Sequence, residues 1–362
     1  MSDEQVIEWR RHLHRHPEPS FEEHETARFV AQTLASFGLQ PERPTATSVI
    51  ARLGEGPATA LRADIDALPI AEDSGVEFAS QRAGFMHACG HDGHTAMLLG
   101  AAKQLAADPP PDREIRFIFQ HAEELAPGGA RELVEAGVMD GVELIYGCHL
   151  WAPLEYGKVV ARPGPFMAAA DFFRLTITGR GGHAGLPHAA DDTVVAAAAI
   201  VTELQHLVAR RIDPLQPAVI TVGSFHAGDA PNVIPGEAVL TGTTRSFDPH
   251  VRARLPELIE ATAEHVAQAH GATAELDYRP GYKPVVNDAT ATELVRQAIG
   301  KRLADLDPVM GGDDFSAYLE HAPGCYAFIG AGGEYPHHHP RFRIDERALA
   351  IGTRLHVEVA RR

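Results

Sequence analysis

Ile115-Arg116-Phe117-Ile118-Phe119-Gln120-His121-Ala122-Glu123-Glu124 reads as a short apolar strand, Ile115 to Phe119, that runs straight into a polar, acidic segment. Apolar spacing predicts a helix on either side of it, from about Thr95 to Ala107 and from Ala130 to Ala136, with further strands at Thr59 to Ile65 and Glu143 to Cys148. Strand, helix, strand, helix, strand is the order of a largely parallel sheet covered by helices, and such sheets bind ligands beyond the carboxyl ends of their strands. The Glu123-Glu124 pair falls at one such end, and His149, at the close of the strand Glu143 to Cys148, at another.

Towards the N-terminus, helical spacing begins near Val6, and Ser20-Phe21-Glu22-Glu23 has the pattern of a capping box opening a second helix that Gly38 ends. A strand at Ser48 to Leu53 precedes the one at Thr59. Towards the C-terminus the pattern changes near Asp171. Strands at Phe172 to Thr178, Val219 to Phe225, Ala238 to Thr244 and Thr273 to Tyr278 alternate with helices from about Asp192 to Arg211 and from Pro249 to about His270. This is an αβ sandwich large enough to be a domain of its own. The helix Ala289 to Leu303, the strand Cys325 to Ile329 and a helix from Glu346 are too few for a separate core. They are expected to return to the first domain. The expected fold is therefore α/β: a mainly parallel sheet flanked by helices, built from residues 1–170 and 281–362, with an αβ sandwich inserted over 171–280. Asp108-Pro109-Pro110-Pro111-Asp112 reads as a surface loop.

Composition narrows the class of partner. With 32 Lys and Arg against 49 Asp and Glu in 362 residues, the formal charge of −17 works against nucleic acid or an anionic membrane and favours a small molecule. A hydrophobic content of 44% with 22% charged residues describes a chain that folds. Its three cysteines, Cys89, Cys148 and Cys325, are an odd number spaced far apart, which suits a reducing compartment better than a disulfide framework. No run approaches the roughly 20 apolar residues of a membrane span, and the first residues are charged where a signal peptide is apolar. A soluble, cytoplasmic protein is expected.

Histidine stands out, with 21 copies, several of them falling at His87, His91 and His94, at His121, at His149, at His183 and His188, and at His337, His338 and His339. Clustered imidazoles are what a metal centre uses. Cys89-Gly90-His91 offers a thiolate and an imidazole two positions apart, although alone the pattern also describes a buried cysteine beside a loop histidine. Two adjacent carboxylates at a strand end give one group to a cation and one to a proton, although a solvated surface is the commoner fate of a Glu-Glu pair. Together these residues supply a thiolate, three imidazoles and a carboxylate. That is too many for one tetrahedral ion and suits two ions sharing a bridge, with a carboxylate to spare as general base. There is no Gly-x-Ser-x-Gly and no glycine-rich phosphate loop after a strand. In the inserted segment, His183 in Gly181-Gly182-His183-Ala184-Gly185 would have the position of an electrophile or oxyanion stabiliser if its loop folds over the site, and Asn232 and Arg245 could hold a carboxylate. Taken singly, each is as open to a structural use.

Seven motifs, in order along essentially the whole chain, carry a resemblance. They are Arg11-His12-Leu13-His14-Arg15-His16-Pro17-Glu18, Arg62-Ala63-Asp64-Ile65-Asp66-Ala67-Leu68-Pro69, Met86-His87-Ala88-Cys89-Gly90-His91-Asp92-Gly93-His94, Glu123-Glu124, Gly182-His183-Ala184, Asn232-Val233-Ile234-Pro235 and His338-His339-Pro340-Arg341-Phe342. The chain strongly resembles the M20 metallopeptidases, and within them the amidohydrolases that include N-acyl-amino-acid, hippurate and auxin-conjugate hydrolases. The resemblance implies a catalytic domain with a dinuclear centre and an inserted lid domain that often dimerises. It implies that Cys89 bridges two divalent ions, Mn2+ or Zn2+, with His91, Glu124, His149 and His338 as further ligands and Glu123 as general base. His183 and Asn232 would contact the scissile carbonyl or substrate, and Arg245 the free carboxylate. The implied reaction is metal-dependent hydrolysis of N-acyl amino acids. A dipeptidase or aminoacylase of the same fold, or an inactive metal- or substrate-binding protein, is the alternative. Three positions depart from the family pattern: His121 where Pro is usual, Asp313 where Glu is usual and Arg343 where Asp is usual.

Overall fold

The structure, a computed structural model, describes residues 3–110 and 112–362. Met1, Ser2 and Pro111 lie outside the described residues, so the first two positions and the middle of the Asp108–Asp112 loop are not described. In chain order the main elements are α1 (Asp3–Arg15), α2 (His24–Ser36), β1 (Pro41–Glu42), β2 (Val49–Leu53), β3 (Ala58–Asp64), α3 (His91–Ala107), β4 (Glu114–Gln120), α4 (Gly129–Glu135), β5 (Val142–Trp151), β6 (Val159–Val160) and β7 (Gly164–Met167). There follow β8 (Ala169–Thr178), β9 (Gly182–His183), α5 (Thr193–Arg211), β10 (Ala218–Ala227), β11 (Val233–Ile234), β12 (Glu237–Ser246), α6 (Pro249–Ala269) and β13 (Thr273–Tyr282). The last are β14 (Val285–Asn287), α7 (Ala289–Ile299), β15 (Gly324–Gly330) and α8 (Ala348–Ala360).

The chain divides into two compact units. One is formed by residues up to Phe166 with Val285–Pro308 and Asp313–Arg362, the other by Met167–Pro284 with Val309–Gly312. The short return at Val309–Gly312 had no signal in the sequence. It is held to the second unit by Ala168, whose N–H donates to Val309 O at 3.2 Å and Gly311 O at 2.8 Å.

The first unit carries a seven-stranded sheet in the order β1-β2-β4-β3-β5-β15-β6. Its centre is parallel, β4 with β3, β3 with β5 and β5 with β15, whereas β1, β2 and β6 run antiparallel to their neighbours. Every residue of β3 and β15 is buried, as parallel strands covered on both faces require. The strand before β3 is thus antiparallel, which the alternation of strands and helices does not reveal.

Helix α3 packs against β3, β5, α1, α2 and α8 and is buried along most of its length. Small residues make this possible. A Cβ added at Gly93 would lie 2.4 Å from Leu150 Cδ1, and one at Gly352 of α8 would lie 2.0 Å from Met97 Sδ. The helix starts at His91, before the first residue of the apolar pattern, because Gly90 at φ 92° turns the chain into it. His91 and His94 therefore share one face of its first turn.

The second unit is an antiparallel sheet, β10-β12-β8-β13, whose inner face packs on α5 and α6. Leu175, Ile177 and Leu240 from the sheet meet Ile200, Leu204, Leu255 and Ile259 from the helices. Both helices begin at an aspartate whose side chain accepts from the N–H groups of the first turn, Asp192 for α5 and Asp248 for α6. By length and composition alone α5 would pass for a membrane-crossing helix, as the core helix of a folded domain can. In the structure Ala196, Ala197, Ile200, Leu204 and Leu207 form a buried stripe against the sheet, while His206, Arg210 and Arg211 are exposed.

Two local expectations are corrected. Glu23 does not close a capping box: α2 has no side-chain cap from it, and Glu18 instead accepts from Glu25 N at 3.2 Å and Thr26 N at 2.7 Å. The segment with His183 is not a plain loop, since β9 pairs with β11 and sets His183 opposite Val233.

Candidate metal centre and active site

Strand register decides what meets at the sheet edge. Asp64 closes β3 opposite Gln120 of β4, and His149 lies inside β5, not beyond its end, opposite Phe328 of β15. The segment after β4 carries Glu123 and Glu124, and the entry to α3 carries Cys89 and His91. The last donor, His338, comes from the segment after β15, tied down by its own N–H donating to Ala88 O at 2.9 Å.

Three overlapping groups have ligand atoms all within 4.8 Å of one another: Cys89, His91 and His149; Cys89, Glu124 and His338; and His91, Glu123 and Glu124. Cys89 Sγ is 3.4 Å from His149 Nε2, and His338 Nε2 is 3.2 Å from Glu124 Oε1. All five anticipated ligands and Glu123 thus converge within the first unit. Of the triple His337-His338-His339, His338 is the member that joins a donor group. His337 lies 2.9 Å from Leu150 O through Nε2, and His339 stacks on Tyr335. His121 lies 3.0 Å from Glu132 through Nε2 and packs edge-on to Phe21.

The donors are oriented by partners that sequence reasoning did not assign. His91 Nδ1 is 3.0 Å from Asp66 O and 3.1 Å from Asp66 Oδ1, which leaves its buried Nε2 without a hydrogen bond and facing the other donors. Asp66 Oδ2 also accepts from Glu124 N at 3.0 Å and from Ser20 Oγ at 2.7 Å, so one carboxylate fixes two of the anticipated ligands. His149 Nδ1 is 3.0 Å from Leu150 O, which turns Nε2 toward Cys89. His94 lies between Asp64, 2.6 Å away through Nδ1, and Leu150 N, 2.8 Å away through Nε2. The available signal was Arg62-Ala63-Asp64-Ile65-Asp66, a charged run inside a strand that is otherwise buried.

Beneath the donors lies a charge network around Arg62. Its guanidinium donates to Asp64 at 2.6 Å, Asp314 at 2.8 Å and Gln120 at 2.8 Å, and approaches Asp313 to 3.3 Å. Burial works against ionisation of Asp64, yet His91, His94 and Arg62 hold its carboxyl well below the usual range. Glu123 is the opposite case. Burial, then Asp313 and Glu124, push it well above the usual carboxylate range, and its oxygens lie within 4.8 Å of those of Asp313 and Asp314. Burial with Glu124, Glu123 and Asp64 raises the Cys89 thiol, and burial with His94 and His337 lowers His149. Such a nest of acids and a thiol is an environment that a divalent cation would stabilise, and a coordinated thiol is deprotonated outright.

In the second unit, Ala184 N donates to Asn232 O at 3.1 Å, so the β9–β11 ribbon brings His183 and Asn232 together, both exposed. Arg245 is elsewhere in that unit, in β12 opposite Ala170 and Val219. It donates to Thr243 Oγ1 and to Thr244 O and forms no ion pair among the described residues. Burial lowers its pKa, against Asp171, which raises it.

A site built from a thiolate, imidazoles and carboxylates at the carboxyl edge of a parallel sheet is that of a metal-dependent hydrolase. The model of the peptidase family M20/M25/M40 matches residues 60–362, and the chain belongs to that family. It is 55% identical over 287 residues, 78% of each chain, to an N-acyl-L-amino acid amidohydrolase of Geobacillus stearothermophilus. It is 43% identical to an N-acetyl-L-cysteine deacetylase of Bacillus subtilis over 99% of this chain and 88% of that one. Among solved structures, it is similar to a dinuclear metal-binding peptidase of family M20 from Bacillus subtilis, with a TM-score of 0.85 and 36% identity over 99% of this chain and 97% of that one.

Proposed function

We propose that the protein hydrolyses the amide bond of N-acyl amino acids, releasing a carboxylic acid and a free amino acid, with two divalent ions, Mn2+ or Zn2+, in the donor cage. The observation that carries this is the pair of donor groups that share Cys89, beside a buried carboxylate, Glu123. Cys89, His91, Glu124, His149 and His338 would hold the ions, and the orphan Nε2 of His91 fits that use. Divalent ions in this cage supply Lewis acidity, which polarises a carbonyl and lowers the pKa of water.

The chain's own residues supply the proton chemistry. Glu123 takes a proton from the attacking water and passes it to the leaving amine. His183 is assigned to the developing oxyanion, with Asn232 beside it, and Arg245, which forms no ion pair among the described residues, to the carboxylate of the amino acid. The inserted unit is assigned the part of lid, and its surface that of contact between copies of the chain.

The test is a set of N-acyl amino acids of varied acyl length, assayed for amino-acid release by chain reconstituted with each metal. Release that disappears with a chelator and returns with metal is the expected result, alongside two ions per chain by elemental analysis and fewer in Cys89→Ala. Chain carrying both ions that releases no amino acid from any member of the set would refute the assignment.

The Arg245 assignment makes a separate prediction. A bidentate grip on a carboxylate acts in ground and transition states alike, so Arg245→Ala should raise KM about 10- to 100-fold at nearly constant kcat. His183→Ala should do the reverse, lowering kcat at nearly constant KM. Steady-state kinetics with an unchanged KM in Arg245→Ala would remove it from the binding site.

A further inference from the structure

We infer that Glu23, at the start of α2, is a positioning residue for Glu123, holding the turn that carries the base through a hydrogen bond to the backbone of Ala122. The inference rests on the assignment of Glu123 as general base.

Its basis is a strained turn and what clamps it. Ala122 is buried and adopts φ 49°, a left-handed conformation that a Cβ disfavours. Such a residue persists only where its surroundings over-determine it, and strain of this kind gathers at active sites. Three bonds hold the turn. Ala122 N donates to Glu23 Oε1 at 2.7 Å, Ala122 O accepts from Gly129 N at 3.0 Å, and Glu124 N donates to Asp66 Oδ2 at 3.0 Å. Glu23 and Asp66 therefore clamp the chain on either side of Glu123. Asp66 also serves His91, so it acts on the metal ligands as well as on the turn. The hydrogen bond to Glu23 is made by Ala122, the residue before the base.

Glu23 is placed for this use and not for helix capping. Its pattern with Ser20 predicts a capping box, yet Ser20 Oγ donates to Asp66, and Glu18 accepts from the first N–H groups of α2. The Glu23 carboxylate, wholly buried, instead meets an N–H 99 residues away. Burial, followed by Asp66, pushes it up to about 7, so its position works against its own ionisation. Without Glu23 the buried Ala122 N–H would have no acceptor among the described residues, and a buried unpaired donor is costly enough to re-form the turn. There is little room to re-form without moving the base, because even a Cβ at Gly129 would come within 2.1 Å of His121 O.

The experiment compares Glu23→Gln, Glu23→Ala and Glu23→Met with Glu123→Gln in metal-loaded full-length chain, using an N-acetyl amino acid that the parent cleaves. The readouts are kcat, KM, ions per chain and melting temperature. Glu23→Met fills the volume without an acceptor oxygen, so its kcat should fall about 10- to 100-fold with KM and metal content unchanged, as displacement of a catalytic group by about 1 Å would produce. Glu23→Ala should behave likewise. Glu23→Gln keeps an oxygen for Ala122 N and should recover kcat to within about threefold of the parent. Should Glu23→Ala not fold, the Met and Gln pair carries the comparison. A Met variant with parental kcat, a Gln variant as impaired as Met, or losses that follow metal content would overturn the inference. Glu123→Gln separates the two layers. If it is active, the assignment of the base fails. If it is inactive while Glu23→Met is fully active, only the role of Glu23 fails.

Discussion

Glu123→Gln should lower turnover by roughly 10²- to 10⁴-fold, the range over which a positioned general base contributes, while the chain keeps its metal. Glutamine preserves the shape of the side chain and removes its capacity to take a proton. Its effect on stability should be small, because glutamine keeps the size and shape of a side chain whose ligand atom lies within 4.8 Å of those of Asp313, Asp314 and Glu124. A melting curve, elemental analysis and single-substrate kinetics on one preparation give all three results. If Glu123→Gln loses metal while Glu124→Gln keeps it, the roles of the two glutamates must be exchanged.

The second large effect is on folding. Arg62 is 1% exposed and is the guanidinium on which Asp64, Asp313 and Asp314 all depend. Removing one partner of a buried ionic group leaves charges with no compensation and costs about 3–5 kcal/mol, a large share of the roughly 5–15 kcal/mol that holds a domain together. Arg62→Met should therefore lower the melting temperature by roughly 6–20 °C, at about 2–4 °C per kcal/mol for a unit of this size. Arg62→Lys should rescue only part of it, since an ammonium cannot reproduce the guanidinium fork toward Asp64, Asp314 and Gln120. An Arg62→Met protein that melts with the parent would show that the carboxylates are held neutral and need no cation.

The parallel centre of the sheet was legible because its strands alternate with helices, and candidate donors because Cys89-Gly90-His91, the Glu123-Glu124 pair and the clustered histidines stand out locally. What escaped is long-range. Asp66 acts on residues 25 and 58 positions away, and Glu23 on one 99 positions away. Local patterns carry no trace of such distances. The Ser20 to Glu23 pattern also shows why a sound local rule can fail: a helix N-terminus can be capped by a neighbouring residue such as Glu18, whereas a buried N–H at a strained turn has few acceptors to choose from. His149 was placed at a strand end although β5 runs on to Trp151, because Gly147 and Cys148 soften the apolar pattern just where the strand continues.

The interlocking of α3 with α8 has a consequence for how the chain is made. Met97 and Gly352 leave no space between the two helices, yet 240 positions separate Ala107 from the residue before Ala348, and the inserted unit lies between them. At about 5–20 residues per second, synthesis of that stretch takes roughly 12–50 s. Through that interval α3, buried on nearly every side in the finished protein, has no α8 to cover it, while the second unit, with a core of its own, can already fold. The nascent chain is therefore expected to pass through a stage with a folded insert and an unfinished first unit, in which the donor cage lacks His338. Arrested chains truncated before Ala348 should bind a hydrophobic dye and be cleaved by protease within the first unit, and chains extended through Ala360 should do neither.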